Sequence, residues 1–239
     1  QLAENYVYSS GLTIYSTVDS TIQARLEEEY AKEKYIKSGR DKKDGQLVNE
    51  HTQSGMAIVD YKTGNVVGIA GGLGEKEGAG WNRATQMKKQ TGSSIKPIAD
   101  VAPALEEKVI TAATIYIDEE TDFGNNYTPK NDGKKYKNGP MDIREFIKLS
   151  RNIPAVKIMK ELTPKKSLEY LTKMGLSSLD EKEDDVPALA IGGMTHGASP
   201  LEMAAAYGTI ANGGVYITPT FYTKVVDSSG NTVLTPKQE

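Results

Sequence analysis

Residues 92–97 read Gly-Ser-Ser-Ile-Lys-Pro, and this stretch is the strongest local signal in the chain. Pro97 has no amide hydrogen, so it is expected in the first turn of a helix that begins near Ser93. Side chains three residues apart share a helix face, so Lys96 can reach the Ser93 hydroxyl. The positive end of the helix favours a neutral lysine, and a desolvated lysine can act as the base that activates a serine.

Two further features of this stretch matter. Gly92 has no side chain and lets a substrate approach the backbone closely. The pattern Ser-x-x-Lys also occurs by chance in many chains, and the alternative interpretation is a capped helix with a surface lysine.

A second signal is the tripeptide Ser150-Arg151-Asn152. It lies between a helix predicted to end near Leu149 and another that starts near Pro154. A hydroxyl and a carboxamide on such a tight bend can both project into a cleft. Serine and asparagine are also ordinary helix-cap residues, so this tripeptide alone is a weaker signal than the first.

The flanking sequence predicts strands towards both ends of the chain and helices between them. Alternating or apolar runs predict a strand at residues 11–18 and hairpins at 55–70 and 218–234. Cap patterns predict helix starts at Ser20 with Gln23, at Asp142 with Glu145, near Pro154, and at Ser199-Pro200 with Glu202. Polar loops are expected at 37–50, at the glycine-rich 71–80, and at 118–140, where Asp118 is expected to be solvated. This organisation is α+β, with a sheet built from both ends of the chain.

Composition excludes several classes of function. The chain has 239 residues, a net charge of -3 and no cysteine. Disulfides, thiolate nucleophiles and cysteine zinc sites are therefore excluded, and no clustered basic face suggests nucleic acid. No apolar run approaches the roughly 18 residues that span a bilayer. Because the chain opens on Gln1 without a signal peptide, we expect a fragment, so the lack of an anchor in this chain says little about the intact protein.

The two signals in this order, about 50 to 60 residues apart, resemble the motifs of penicillin-binding proteins and serine β-lactamases. Longer stretches resemble the transpeptidase domain of class A, bifunctional penicillin-binding proteins, including a lead-in at Gly11 to Tyr30. These stretches are Asp60 to Val67 with Gly71-Gly72, Trp81 to Ala84, Tyr127 to Asn131, Ser150 to Val156, and Ser199 to Ala204 with Asn212 to Gly214.

The resemblance implies a fold and a set of roles. The fold is α+β, with an antiparallel sheet flanked by helices and an all-helical subregion. Ser93 attacks the carbonyl of a D-Ala-D-Ala bond and Lys96 accepts its proton, while the Ser93 amide supplies half of an oxyanion hole. Ser150 relays a proton to the leaving D-alanine, and Asn152 holds the substrate amide and orients Lys96. The residues predicted to contact substrate are Gly92, Ser94 and Arg151.

The resemblance also implies partners. They are peptidoglycan stem peptides, as donor and amine acceptor, and β-lactams, and no metal or organic cofactor is implied. The intact protein is expected to be extracytoplasmic and membrane-anchored, with the anchor outside this chain. Residues 1–50 are expected to form the lead-in and 51–239 the N-terminal and central part of the domain. A glycosyltransferase domain is expected in the intact protein from the resemblance alone.

One motif departs from the family pattern. The family places Lys-Thr-Gly on a strand after the second motif, but here Lys62-Thr63-Gly64 precedes Ser93 at a predicted turn, and we interpret it as unrelated. The C-terminal strands are therefore expected on a companion fragment that carries this motif. Two alternatives stay open: a D,D-carboxypeptidase or β-lactamase that uses water, and a non-catalytic penicillin-binding sensor.

Overall fold

The computed structural model describes residues 7–32, 38–43, 46–51, 53–74 and 80–236. Up to residue 87 the elements are β1 (Thr13–Ser16), α1 (Ser20–Tyr30), β2 (Ser38–Lys43), β3 (Gln46–His51), β4 (Met56–Val59), β5 (Val66–Ala70) and α2 (Arg83–Gln86).

Residues 88–198 are richer in helices. Their helical elements are a 3₁₀ turn (Gly92–Ile95), a π-helical turn (Pro97–Val101), α3 (Ala102–Glu106), a 3₁₀ turn (Asp132–Lys134), α4 (Ile143–Leu149), α5 (Asn152–Leu162), α6 (Pro164–Lys173) and a 3₁₀ turn (Pro187–Ile191). Two short strands, β6 (Ile115–Asp118) and β7 (Gly139–Asp142), pair antiparallel in the same part of the chain. The chain then continues with α7 (Pro200–Ala211), β8 (Tyr222–Val226) and β9 (Thr232–Leu234).

The chain forms two compact units. The first combines residues 1–87 with 199–239, and the second is the continuous segment 88–198. The predicted fold class, an α+β arrangement of antiparallel sheets and helices with a helix-rich region, is confirmed. The helix-rich region is not wholly helical, because it contains the β6–β7 pair.

In the first unit, strands from opposite ends of the chain share a three-stranded sheet of order β1-β8-β9. β1 pairs antiparallel with β8, so that Ile14 faces Val225. The predicted hairpin of β4 and β5 lies beside this sheet, since Val66 donates its amide hydrogen to the Thr220 carbonyl at 2.9 Å. Leu26 and Tyr30 of α1 pack in an apolar cluster with Ala70 of β5.

Two predictions for the first unit are wrong in detail. Helix α1 is capped by Asp19, whose Oδ1 accepts from the amides of Thr21 and Ile22, whereas the sequence pattern placed the cap at Ser20. The carboxylate is favoured there because it also meets the positive end of the helix. The expected polar loop at 37–50 is largely a hairpin, with Ser38–Lys43 paired to Gln46–His51. Residues 37, 44 and 45 of that prediction, and 75–79 of the predicted glycine-rich loop, lie outside the described residues.

The second unit has its core around α5. Seven of this helix's residues are buried, among them Ile153, Ile158 and Met159, because apolar residues occupy most of its circumference. Helix α6, which the sequence analysis did not predict, adds Leu168 and Leu171. The π-helical turn is buried in the same core, and the Ser167 hydroxyl of α6 donates to the Ala99 carbonyl at 2.8 Å.

Several local predictions are confirmed. Asp142 caps α4 by accepting from the Glu145 amide at 2.8 Å. Ser199 and Glu202 form a reciprocal capping box at the start of α7. Pro154 lies in the first turn of α5. Within the part of the chain that the structure describes, no helix is both long and apolar enough to cross a bilayer.

Candidate active site

The segment around Ser93 is helical from Gly92 onward, and its backbone hydrogen bonds change from a 3₁₀ to a π pattern along the segment. Residues Gly92–Ile95 form a 3₁₀ turn, and the Lys96 amide donates to the Ser93 carbonyl. Pro97 cannot donate a hydrogen bond, and the Ala102 amide reaches back five residues to the Pro97 carbonyl, which defines a π turn. Ser93 is exposed at the start of this segment, and Lys96 lies one turn further on.

Lys96 is not a surface lysine, because only 3% of the residue is exposed. Its Nζ donates to the Ser150 carbonyl oxygen at 2.7 Å, to the Ser150 Oγ at 3.3 Å and to the Asn152 Oδ1 at 2.7 Å. Burial lowers the pKa of Lys96 to about 8, while the charge of Asp100 opposes this shift. The two sequence motifs therefore meet at one buried amine.

The second motif forms the bend between α4 and α5. Ser150 ends α4 in a left-handed conformation, with φ of 51° and ψ of 43°, which is costly for a residue with a side chain. This conformation turns the chain sharply, so that Asn152 already begins α5. Backbone outliers of this kind persist only where surrounding contacts hold them.

Asn152 is held by three separate contacts. Its amide hydrogen is donated to the Asn131 Oδ1 at 2.7 Å, and its Nδ2 donates to the Lys130 carbonyl at 2.7 Å. Its Oδ1 is the acceptor for Lys96. The carboxamide orientation follows from these partners, since the carbonyl of Lys130 can only accept and the ammonium of Lys96 can only donate.

Gly92 lies at a close contact between backbones. Its φ is +55°, and the space where a Cβ would project is open. A Cβ at Gly192, which follows the turn Pro187–Ile191, would come within 2.4 Å of the Gly92 nitrogen and oxygen. The second unit thus fixes the start of the Ser93 segment by packing one glycine directly against another.

Ser94 and Arg151 have hydrogen-bond partners within the protein, whereas the Ser93 hydroxyl has none among the described residues. The Ser94 hydroxyl donates to the Thr91 carbonyl at 2.7 Å. The Arg151 Nη1 donates to the Lys135 carbonyl at 2.6 Å, and its Nε lies 3.6 Å from the Asp118 carboxylate. The role of Arg151 and Ser94 in binding substrate stays a prediction.

Lys62-Thr63-Gly64 lies in the first unit, at the turn between β4 and β5, where Lys62 and Thr63 are exposed and Gly64 is buried. The Asp60 carboxylate accepts from the Lys62 amide and from the Thr63 hydroxyl, which fixes the turn. The tripeptide is therefore part of a hairpin turn, as its position in the sequence predicted.

Three buried residues next to the motifs were missed by the sequence analysis. Asp118 was expected to be solvated, but none of it is exposed, so that prediction is wrong. Asn131 is 3% exposed and was noted only as part of the family-like stretch Tyr127 to Asn131. Asp100 is fully buried, and within the described chain both of its carboxylate oxygens lack a hydrogen-bond partner, so burial raises its pKa well above the usual range. The sequence feature that could have identified Asp100 is its position one helical turn after Lys96.

Comparison with known proteins shows which family the chain belongs to. Residues 55–239 match the family model for the penicillin-binding protein transpeptidase domain. Penicillin-binding protein 1A of Clostridium tetani is 35% identical over 257 residues, which cover 98% of this chain and 31% of that protein. Penicillin-binding protein 1F of Bacillus subtilis is 32% identical, with 96% of this chain and 30% of that protein covered. The chain thus spans about a third of the length of these curated relatives.

Solved structures share the fold at lower sequence identity. Penicillin-binding protein 1A from Haemophilus influenzae superposes with a TM-score of 0.76 at 20% identity, covering 100% of this chain and 49% of that one. PonA1 from Mycobacterium tuberculosis, solved in complex with penicillin V, gives a TM-score of 0.77 at 24% identity, covering 97% and 60%. With the family model matching most of its length, the chain belongs to the penicillin-binding protein transpeptidase family and is PBP1A-like, the class A affiliation that its motifs predicted.

Proposed function

We propose that the protein is a serine D,D-transpeptidase that crosslinks peptidoglycan stem peptides and is acylated by β-lactams. The observation that carries this proposal is the buried Lys96 amine, which contacts both Ser150 and Asn152 and lies one helical turn from the exposed Ser93. A base, a hydroxyl relay and an amide are thereby collected one helical turn from an exposed serine.

The protonation state of Lys96 suits the role of a base. With a pKa of about 8, about a tenth of the lysine is neutral at pH 7, whereas a lysine at its ordinary value is almost wholly charged. In the neutral form the nitrogen has a lone pair, and a hydroxyl that accepts from the ammonium can donate to the amine instead. The 3.3 Å contact with the Ser150 Oγ can therefore reverse its direction during proton transfer.

The proposed reaction has two acyl-transfer steps. Ser93 Oγ attacks the carbonyl of the D-Ala-D-Ala bond while its proton passes to the Lys96 nitrogen. The carbon–nitrogen bond then breaks, and the leaving amine takes a proton through the Ser150 hydroxyl, which leaves an ester on Ser93. An amine of a second stem peptide attacks this ester, the carbon–oxygen bond breaks, and the proton returns to Ser93.

The proposal extends to location and organisation. Crosslinking of stem peptides takes place outside the cytoplasm, so we place the site on an extracytoplasmic, membrane-anchored protein. We assign residues 1–50 to a lead-in and the following residues to the catalytic domain, a division supported by the family match that begins at residue 55. Gly92, Ser94 and Arg151 are proposed to contact the substrate.

The test of the nucleophile is labelling of the protein with a fluorescent penicillin, followed by mapping of the adduct by mass spectrometry. We expect a single penicilloyl ester on Ser93 and no labelling of Ser93→Ala. Ser228→Ala, which alters an exposed serine in the turn between β8 and β9, should be labelled as the parent is. An adduct on Ser94 or Ser150 would contradict the assignment.

A second measurement identifies the acceptor. A donor peptide ending in D-Ala-D-Ala is incubated with the protein and an added amine, and the products are separated. A transpeptidase yields the amine-linked peptide. Release of D-alanine with only the hydrolysed peptide would indicate a carboxypeptidase, and acylation by penicillin without any peptide product would indicate a sensor.

A further inference from the structure

We propose that Asn131, fixed by the buried carboxylate of Asp118, is a positioning residue that holds the Ser150–Asn152 bend against Lys96. The inference rests on the proposed acyl-transfer function. It concerns Asp118, the last residue of β6, and Asn131, on the segment between β6 and β7, and neither belongs to the two motifs.

Asn131 uses every hydrogen-bonding position of its side chain although it is 97% buried. Its Oδ1 accepts from the amides of Asn152 at 2.7 Å and Ile153 at 3.4 Å. Its Nδ2 donates to the Asp118 Oδ1 at 2.7 Å and to the Lys135 carbonyl at 3.1 Å. A carboxamide has two donors and two acceptor positions, so the group is fully satisfied.

These contacts give α5 a cap from a distant segment. Arg151, the residue before α5, makes no side-chain cap bond. The first amides of a helix have no partner within it, and an asparagine or aspartate oxygen is a preferred acceptor for them. Asn131 supplies this oxygen from 21 residues away in the sequence, so the start of α5 is tied to the loop rather than to its own cap.

Asp118 fixes which way the Asn131 amide points. Its side chain is fully buried and accepts from the Asn131 Nδ2 and from the Lys137 amide at 2.9 Å. An ionised carboxylate can only accept, so the Nδ2 must face Asp118 and the Oδ1 must face α5. The Arg151 Nε lies 3.6 Å from the same carboxylate, which is an ion pair but too long for a hydrogen bond, so the middle residue of the bend adds only charge attraction to Asp118.

The chain of contacts ends at Lys96. Asn131 holds the Asn152 backbone, the adjoining Lys130 carbonyl holds the Asn152 Nδ2, and the Asn152 Oδ1 accepts from Lys96. Ser150 contacts Lys96 from a strained left-handed conformation that needs such support. Asn131 therefore acts on the chemistry through Asn152, because its own hydrogen bonds join it to Asn152, Ile153, Asp118 and Lys135 and not to Lys96 or Ser93.

The test is a set of four variants of the intact protein, with penicillin acylation rates measured from pH 6 to 10. Asn131→Ala removes the cap, Asn131→Asp keeps an acceptor but places a carboxylate against Asp118, and Asp118→Asn removes the fixed acceptor. The double variant Asp118→Asn/Asn131→Asp exchanges the two groups, so that an amide at 118 can again donate to an acceptor at 131. Asp132→Asn makes the same chemical change at an exposed neighbour and is the control.

We expect Asn131→Ala to slow acylation by about 10- to 100-fold, with little change in the concentration of penicillin that half-saturates the reaction, because geometry and not binding is altered. Weaker contact between the Asn152 Oδ1 and Lys96 destabilises the ammonium, so the midpoint of the pH profile should move to lower pH. The exchanged double variant should recover rate relative to Asn131→Asp, and Asp132→Asn should match the parent.

An Asn131→Ala rate within about twofold of the parent with the same pH midpoint overturns the inference. If Asn131→Ala does not fold, the exchange decides: recovery relative to Asn131→Asp supports it, and no recovery overturns it. The proposed function is judged separately, because parent protein that acylates at Ser93 and loses acylation with Lys96 keeps that function whatever the Asn131 variants do. A parent that never acylates contradicts the proposed function itself.

Discussion

At the scale of single residues, Lys96 shows how burial and a nearby charge act against each other. Removal from water lowers its pKa, while the charge of the nearby Asp100 carboxyl raises it. The net effect is a pKa of about 8 rather than full neutralisation. An amine in this range is neutral often enough to accept a proton near neutral pH and basic enough to do so effectively.

The acylation rate should therefore rise with pH through about 8, as Lys96 loses its proton. Lys96→Met should lower the rate by about 10²- to 10⁴-fold and abolish this rise. Lys148→Met makes the same change at an exposed position of α4 and should leave both unchanged. The measurement is the rate of penicillin labelling across pH 6–10, and acylation of Lys96→Met within a few-fold of the parent would show that another group is the base.

The same pKa shift predicts a stability difference with a defined sign. Between about pH 8 and the ordinary lysine value, the unfolded state binds more protons at position 96 than the folded state, so the free energy of unfolding rises with pH. Lys96→Met removes this contribution. Urea unfolding of both proteins across that interval should show the parent gaining stability relative to the variant, and a constant difference would contradict the lowered pKa.

At the scale of elements, the turn between β4 and β5 explains why the Lys62-Thr63-Gly64 sequence is a structural feature. Asp60 accepts hydrogen bonds from the Lys62 amide and the Thr63 hydroxyl, and Gly64 has a φ of +74°. The turn needs these backbone and hydroxyl contacts, whereas the Lys62 side chain lies exposed above the Tyr61 ring, 5.8 Å from its centroid.

Lys62→Ala should consequently keep the penicillin acylation rate of the parent, and its melting temperature should change little because exposed substitutions rarely cost more than about 0.5 kcal/mol. Thr63→Ala, which removes the hydroxyl bonded to Asp60, should lower the melting temperature more. A large loss of acylation in Lys62→Ala would mean that this lysine belongs to the active site after all.

At the scale of the whole molecule, the second unit is one continuous insertion between the two parts of the first. Its two chain ends meet within the unit: the Lys89 amide donates to the Ala198 carbonyl at 3.1 Å, and the Ala198 amide donates to the Lys89 carbonyl at 2.9 Å. Gly197, with φ of +80°, lies so close to this bridge that a Cβ would approach the Lys89 carbonyl to 2.1 Å.

Gly197→Ala should therefore destabilise the second unit through both backbone strain and overlap. Gly124→Ala is the control in the same unit, because Gly124 has φ of +91° but no atom within 4 Å of the added Cβ. Strain alone should cost about 1–2 kcal/mol in Gly124→Ala, and overlap should add about 1–3 kcal/mol in Gly197→Ala. Equal losses of unfolding free energy would show that the close approach relaxes without cost.

The sequence by itself determined the features that depend on neighbouring residues. Caps, turns and a proline, each acting within a few positions, determine several elements. These are the helix starts at Asp142 and Ser199, the β4–β5 hairpin and the helical segment from Ser93. Helix α6, which was not predicted, also has such a signal, a Thr163 cap followed by Pro164. The β2–β3 hairpin was not predicted, because its strands show no apolar alternation. Its pairing rests on backbone hydrogen bonds, which polar residues make equally well.

Only the tertiary structure decided the environment of the candidate site. Lys96 contacts residues 54 and 56 positions away, and Asn131 caps a helix 21 positions away. Asp118 looks like any acidic loop residue in the sequence, yet folding leaves none of it exposed. Desolvation and hydrogen-bond partners are properties of the packed surroundings, which come from distant parts of the chain, so the pKa of Lys96 and the support of the Ser150–Asn152 bend arise only when those parts are brought together.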